Sequence, residues 1–262
     1  MTPRKSSPVK KPPGALPEVS FSDHGDIRYL HLGTPWVQGS MDLRRPYELE
    51  LEYVQRMMAW LLFVDPATVS QRHAMQLGLG AASLTKFCRR KLRMKTTAIE
   101  LNPQVVAACR LWFKLPADDE RLQVILGDAG EVAAHEHWRG QVDALQVDLY
   151  DEEAAAPVLD SKAFYADCRR LLTADGAMVV NLFGRDASYA ESVRRIVSAF
   201  GEGAVWAFRA TREGNTVVLA LREPRAPERG ELAARAETIE TRWGLPARKW
   251  LRSFRPLPTA PT

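Results

Sequence analysis

The sequence holds few cysteines: Cys88, Cys109 and Cys168, far apart and odd in number. That pattern excludes a disulfide framework and a CxxC metal knuckle, and it suits a reducing compartment, so a cytoplasmic protein is expected. No apolar run approaches the roughly 20 residues of a membrane helix, so no membrane partner is expected. The basic N-terminus is followed by no apolar signal-peptide core, which argues against secretion. Internal repeats are missing, and so are the interleaved aromatic and basic residues of a nucleic-acid module. The net charge of +4 gathers in "MTPRKSSPVKKPPGALP" and in the C-terminal third, from Arg222 and Arg225 to Arg252 and Arg255. Basic balance alone favours nucleic acid, but without such a motif nucleic acid is not the expected partner.

What is present describes an ordinary soluble globular chain. The 262 residues are 46% hydrophobic and 26% charged, enough for one large domain with a small appendage. Residues 1–17, rich in Pro, Lys and Ser, read as a disordered basic leader. In 18–45, "EVSFSDHGDIRYLHLG" predicts a β-hairpin and "PWVQGSMDL" a third short strand, together a small N-terminal β-domain. Then "PYELELEYVQRMMAWLLF" places Leu49, Tyr53, Met57, Trp60 and Leu61 on one face of a helix. Within 46–225 short strands alternate with helices, through "HAMQLGLG", "KTTAIELNP", "RLQVILGDA", "VDALQVDLYD" and "GAMVVNLFG". "AVWAFRA" and "NTVVLALRE" read as a closing antiparallel pair. This is the α/β signature of a doubly wound, mostly parallel sheet covered on both faces. Residues 226–262 read as a basic helical tail.

In such a sheet ligands bind outside the carboxyl ends of the strands. Four strand ends carry suitable residues. "LGLGAAS" supplies Gly78 and Gly80, which let the backbone turn sharply and approach a ligand near a helix N-terminus. Glu100 closes "TAIE" about twenty residues later, the spacing of an acid that binds ribose hydroxyls. Asp128 in "ILGDA" is placed to accept from an adenine amino group. The fourth end, "QVDALQVDLYDEEAAAP", presents Asp148 and Asp151, a pair suited to a cationic substrate. Solvated or turn-forming acids are the alternative at each position. The incomplete GxGxxG argues against a dinucleotide, and a nucleoside without phosphates, such as S-adenosylmethionine carries, fits better.

Taken together, "MQLGLGAASL", "TAIELNPQVV", "RLQVILGDA", "VDALQVDLYD" and "FYADCRRLLTADGAMVVNL" resemble the spermidine synthase (polyamine aminopropyltransferase) family, in particular its bacterial spermidine synthase-like branch, over roughly residues 27–221. The resemblance implies a seven-stranded methyltransferase-like Rossmann sheet with a small N-terminal β-hairpin domain, and a homodimer. It implies Glu100 on the ribose, Asp128 at the adenine edge, Asp148 as proton acceptor and Asp151 holding the amine. Gln38 would lie along the sulfonium arm and Tyr53 in the substrate pocket. Three positions depart from the family pattern: Ala81 stands for an Asp that grips the aminopropyl amine, Gln55 for a Glu, and Arg212 for a Tyr.

The implied reaction moves an aminopropyl group from decarboxylated S-adenosylmethionine to a polyamine or related amine. An alkylammonium, with a pKa near 10.4, must lose a proton before it attacks, and Asp148 is the residue to take it. With S-adenosylmethionine as co-substrate the same geometry would transfer methyl; a non-catalytic nucleoside-binding protein is the third alternative. No metal is expected. His135 and His137 in "AHEHW" are two apart, and such residues do not face each other on a helix.

Overall fold

The computed structural model describes residues 16–150, 159–183 and 187–257. Three antiparallel strands come first: β1 (Val19–His24), β2 (Ile27–Leu32) and β3 (Gly39–Asp42). Gly25 opens the two-residue turn between β1 and β2 at φ +58, the backbone state a glycine-first hairpin uses. Arg28 and Asp23 pair across that hairpin at 2.7 Å.

The helix expected over 46–63 is not continuous. It is a short α1 (Glu52–Arg56) followed by a 3-10 turn, Ala59–Phe63. The reason lies in "MMAWLLF": Met57 to Phe63 are all buried, so the segment has no polar face to lay against solvent. It forms the centre of one core layer with Trp206, Trp243, Trp250 and Phe254.

The main sheet contains β4 (His73–Leu77), β5 (Lys95–Glu100), β6 (Leu122–Leu126), β7 (Val142–Val147), β8 (Leu172–Phe183), β9 (Val205–Ala207), β10 (Asn215–Leu221) and β11 (Arg255–Pro256). Their order is β11-β9-β10-β8-β7-β4-β5-β6, with parallel pairing from β8 to β6 and antiparallel pairing beyond β8. Seven of these are the strands expected. The two-residue β11 is an addition from the C-terminal tail, which is therefore helical only in part. Helices α2 (Ser83–Arg90), α3 (Pro103–Trp112), α4 (Ala129–Ala134), α5 (Lys162–Leu171) and α6 (Ala187–Phe200) alternate with the strands, and α7 (Arg229–Trp243) and α8 (Ala247–Trp250) follow.

Strand periodicity divides the core. Ala74, Val179, Val217 and Leu219 join the layer of α2, α7 and the 3-10 turn, whereas Met75, Val180, Val218 and Ala220 join that of α5 and α6. Successive strand residues face opposite sides, so one apolar run fills two layers. Arg225 and the tail's arginines are engaged within this packing. Arg235 donates to the Leu62 carbonyl at 2.8 Å, Arg242 to Pro66 at 2.9 Å and Arg225 to Asp175 at 2.9 Å. Among the described residues no helix is long and apolar enough to cross a membrane. Leu16 and Pro17, the end of the stretch read as leader, are ordered against the body, where Asn102 donates to the Pro17 carbonyl at 2.9 Å.

One buried charge stands out. Lys86 on α2 is 1% exposed and donates to the Phe113 carbonyl at the end of α3. Burial lowers its ammonium from 10.5 to about 8. The unfolded chain therefore holds this proton up to about 10.5 while the fold releases it above about 8, so stability rises with pH across that window. The gain corresponds to about 3 kcal/mol. Chemical denaturation of the wild type and of Lys86→Met from pH 7 to 10.5 should show the wild type gaining on the variant by about that amount. A difference independent of pH would contradict it.

Candidate active site

The chain runs from β4 outward through β5 and β6, then returns to place β7 on the other side of β4. The strand order reverses there, and the loops after β4 and β7 lie side by side. Asp148 N–H donates to the Leu77 carbonyl at 3.0 Å. Gly78, at φ +91, passes so near that a Cβ on it would stand 2.3 Å from the Asp148 carbonyl oxygen. Only glycine meets both conditions. Gly80, at φ +51, turns the chain into α2 beside the Gln38 carbonyl.

Glu100 ends β5 and braces this turn. Its Oε2 accepts from Leu79 N–H at 3.0 Å and its Oε1 from Asn102 N–H at 2.8 Å. Burial raises its pKa, with these backbone donors opposing the rise. Each carboxylate oxygen has a further lone pair to offer, as two vicinal hydroxyls would require. Asp128 is the N-cap of α4, its Oδ1 accepting from Gly130 and Glu131 N–H at 2.7 and 3.0 Å. Both the turn-forming role and the cavity-lining role of this acid are thus present in one side chain.

Asp148 is half-buried immediately after β7. Asn181 Nδ2 donates to its Oδ1 at 3.0 Å, and the Tyr53 hydroxyl donates to the same carboxylate. Burial pushes Asp148 up to about 6, the two donors holding it from rising further. Burial, followed by the Asp148 charge, holds the Tyr53 hydroxyl well above its usual range. Asp151 lies outside the described residues. Asp143, at the other end of β7, accepts from His73 N–H at 2.8 Å and pairs with Arg72, so it braces the strand far from Asp148.

These residues line one cavity of about 1250 Å³. Gln38, Tyr53, Gly78, Gly80, Glu100, Asp128 and Asp148 all border it. So do Glu50, Glu52, Glu213, Asn181 and Asn215, which sequence reasoning missed. Asn181 had a legible signal, a lone amide closing the apolar strand "AMVVNLF"; the three glutamates had none, because the chain's folding alone brings them there. Six carboxylates border the cavity, and no Lys, Arg or His does among the described residues.

The departures from the family pattern also have places. Ala81 is 2% exposed, and a Cβ on Gly39 would lie 2.8 Å from its own Cβ. Gln55 donates to the Leu49 carbonyl at 2.7 Å. Arg212 is exposed beside Glu213. The cysteines are buried, and burial raises each thiol, Cys109 to about 12. His135 caps the 3-10 turn Glu136–Trp138, accepting from His137 N–H.

Glu100→Ala removes acceptors from the turn and from any ribose at once. Charge-assisted hydrogen bonds contribute roughly 1.5–3 kcal/mol each, so calorimetric affinity for methylthioadenosine should fall at least tenfold and the melting temperature should drop. Unchanged affinity in the folded variant would refute the assignment.

The spermine/spermidine synthase domain family matches residues 78–193, the span from the Gly-rich turn through α5 and into α6. A polyamine aminopropyltransferase of Neisseria meningitidis serogroup A is 35% identical over 254 residues, 96% of this chain and 93% of that protein. The fold is shared with a probable spermidine synthase from Corynebacterium glutamicum (TM-score 0.71, 17% identity, 96% of this chain and 98% of that one). It is also shared with human methyltransferase-like protein 13, solved with SAH (TM-score 0.63, 20% identity, 81% and 97%). With such identity along nearly its whole length, the chain belongs to the spermidine synthase family of polyamine aminopropyltransferases.

Proposed function

We propose that the protein transfers an aminopropyl group from decarboxylated S-adenosylmethionine to a polyamine or related amine. The observation that carries this reading is the charge of the cavity: six carboxylates without one Lys, Arg or His among the described residues lining it. Sulfonium, aminopropyl ammonium and acceptor ammonium are all cations and gain from that field. Intact S-adenosylmethionine carries a further carboxylate, which would face like charge with no cationic side chain among the described lining residues to receive it. The decarboxylated nucleoside is therefore the better fit, and methyl transfer the poorer one, although Ala81 removes an acid from the family's amine site.

The nucleoside lies along the turn at Gly78 and Gly80, its ribose on Glu100 and its adenine toward Asp128. Gln38 borders the sulfonium arm. The acceptor amine meets Asp148 and Tyr53, and Asp151 takes its distal ammonium. The ammonium passes one proton to Asp148. Its freed lone pair then attacks the carbon bonded to sulfur, the new N–C bond forming as the C–S bond breaks, and the electron pair leaves on neutral methylthioadenosine. Alignment in line supplies much of the acceleration. The same reading makes the protein a cytoplasmic homodimer. Buried free cysteines suit a reducing compartment, and Phe21, Leu111 and Trp112 leave apolar surface beside the N-terminal hairpin.

Putrescine, cadaverine, agmatine and spermidine are to be screened as acceptors. Asp148 accepts a proton only when ionised, so kcat/KM should climb with pH through about 6 and level above it. Asp148→Asn keeps the shape but not the basicity, and should lower turnover about 10²–10⁴-fold with nucleoside affinity little changed. Asp151→Asn should raise the amine's KM more than it lowers kcat. Wild-type turnover in Asp148→Asn would remove the catalytic assignment.

A further inference from the structure

Asp148 does not stand alone in the cavity wall. Asn181, on β8, is 4% exposed and donates through Nδ2 to Asp148 Oδ1 at 3.0 Å. Its own Oδ1 accepts from Asn215 Nδ2 at 3.2 Å. Asn215 begins β10, which pairs antiparallel with β8, and its backbone is tied to Thr211 in both directions, at 2.7 Å and 3.2 Å. Side chains from β10, from β8 and from the loop after β7 thus form one directed chain: Asn215 to Asn181 to Asp148.

A side-chain amide has a donor end and an acceptor end. Turned one way, Asn181 gives Asp148 an N–H and stabilises the ionised carboxylate. Turned the other way, it presents a carbonyl oxygen, which repels the carboxylate and favours its protonated form. The Asn181 backbone does not decide between the two. Its carbonyl is occupied by the Tyr150 hydroxyl at 2.9 Å, a contact that both orientations allow. In the structure the Asn215 N–H meets the Asn181 oxygen at 3.2 Å, and this leaves the Asn181 N–H on the Asp148 side.

We propose that Asn215 is a positioning residue: acting through Asn181, it holds the amide so that Asp148 always meets a donor and stays a proton acceptor. The inference rests on the reading of Asp148 given above for its catalytic consequence, but not for the amide orientation itself. The other groups facing Asp148 are few in kind. Tyr53 donates from α1, Tyr150 follows in the same loop, and Glu50, Glu52, Glu100, Asp128 and Glu213 border the shared cavity. Burial favours protonation of Asp148 and the Asn181 donor opposes it, which makes an enforced donor consequential. Asn215 reaches Asp148 through Asn181 by this route. Its influence is on which state of Asp148 is available at a given pH.

The test reads Asp148 directly, in the free protein. Carboxyl-13C aspartate labelling, with Asp148→Asn used to assign its resonance, gives the titration midpoint, expected near 6 in the wild type. Asn215→Val lacks the donor and suits a strand, with Asn215→Leu as the substitute should the valine variant not fold. Either should raise the midpoint by about one pH unit, the equivalent of losing one charge-assisted hydrogen bond in a fraction of molecules. Asn181→Leu should raise it at least as far. Adding Asn215→Val to Asn181→Leu should change nothing more, since the effect passes through Asn181. The acidic limb of kcat/KM should move with the midpoint, a shift that loss of packing alone would not produce. An unmoved midpoint in Asn215→Val beside a raised one in Asn181→Leu would overturn the inference. So would an Asn215 effect that persists without Asn181. If Asp148→Asn lost turnover while Asn215→Val titrated as wild type, the catalytic reading would stand and the positioning role would fall. If the midpoints moved as stated while Asp148→Asn turned over normally, the positioning role would stand and the catalytic reading would fall.

Discussion

The close passage of Gly78 against Asp148 is the constraint on which the site depends. Strands β4 and β7 lie adjacent and parallel at the point where the chain changes direction across the sheet. Their continuation as loops leaves no room for a side chain between them, since a Cβ on Gly78 would stand 2.3 Å from the Asp148 carbonyl. That contact fixes the carboxylate at 148 relative to the Gly-rich turn. Glu100 then ties the turn to the end of β5, one carboxylate oxygen accepting from Leu79 N–H in the turn and the other from Asn102 N–H just after the strand. A nucleoside bound along the turn and a proton acceptor after β7 are consequently held by one rigid frame, the condition under which alignment accelerates a displacement.

Among the described residues, those lining the cavity built on that frame carry charge of one sign. Within it the half-buried Asp148 moves up to about 6 through burial. The effect serves a base: a carboxylate near 6 is ionised at neutral pH and yet binds a proton more readily than an ordinary aspartate. The donors Asn181 and Tyr53 limit the rise and keep the acid from staying protonated. Cationic substrates supply the missing positive charge on binding. Among the described residues no Lys, Arg or His lines the cavity, and Arg225, Arg235 and Arg242 donate instead to the carbonyls of Asp175, Leu62 and Pro66. The tail's charge therefore has a structural use that composition alone would have assigned to a partner.

Much of this was legible in the chain. Alternating strands and helices, glycines after the first parallel strand, and acids at the ends of the next three follow local rules, and local rules survive folding. Glu100, Asp128 and Asp148 were found because each ends a recognisable strand. Glu50, Glu52, Glu213 and Asn215 were not, because they reach the cavity from segments distant in sequence that only tertiary packing brings together. The helix expected through Trp60 failed for a related reason. Its apolar spacing suggested one buried face, but the segment is surrounded, and complete burial lets it break into a short helix and a 3-10 turn. The two-residue β11 carries no strand signal of its own; it pairs because the tail returns beside β9.

The central claim is that the acidic cavity selects a fully cationic nucleoside and passes its aminopropyl arm to an amine. Mass spectrometry of products tests it most directly, with the protein given each amine acceptor together with decarboxylated or intact S-adenosylmethionine. The account predicts methylthioadenosine and an amine enlarged by one aminopropyl unit, formed with the decarboxylated nucleoside alone. A methylated acceptor and S-adenosylhomocysteine, formed from the intact nucleoside, would contradict it.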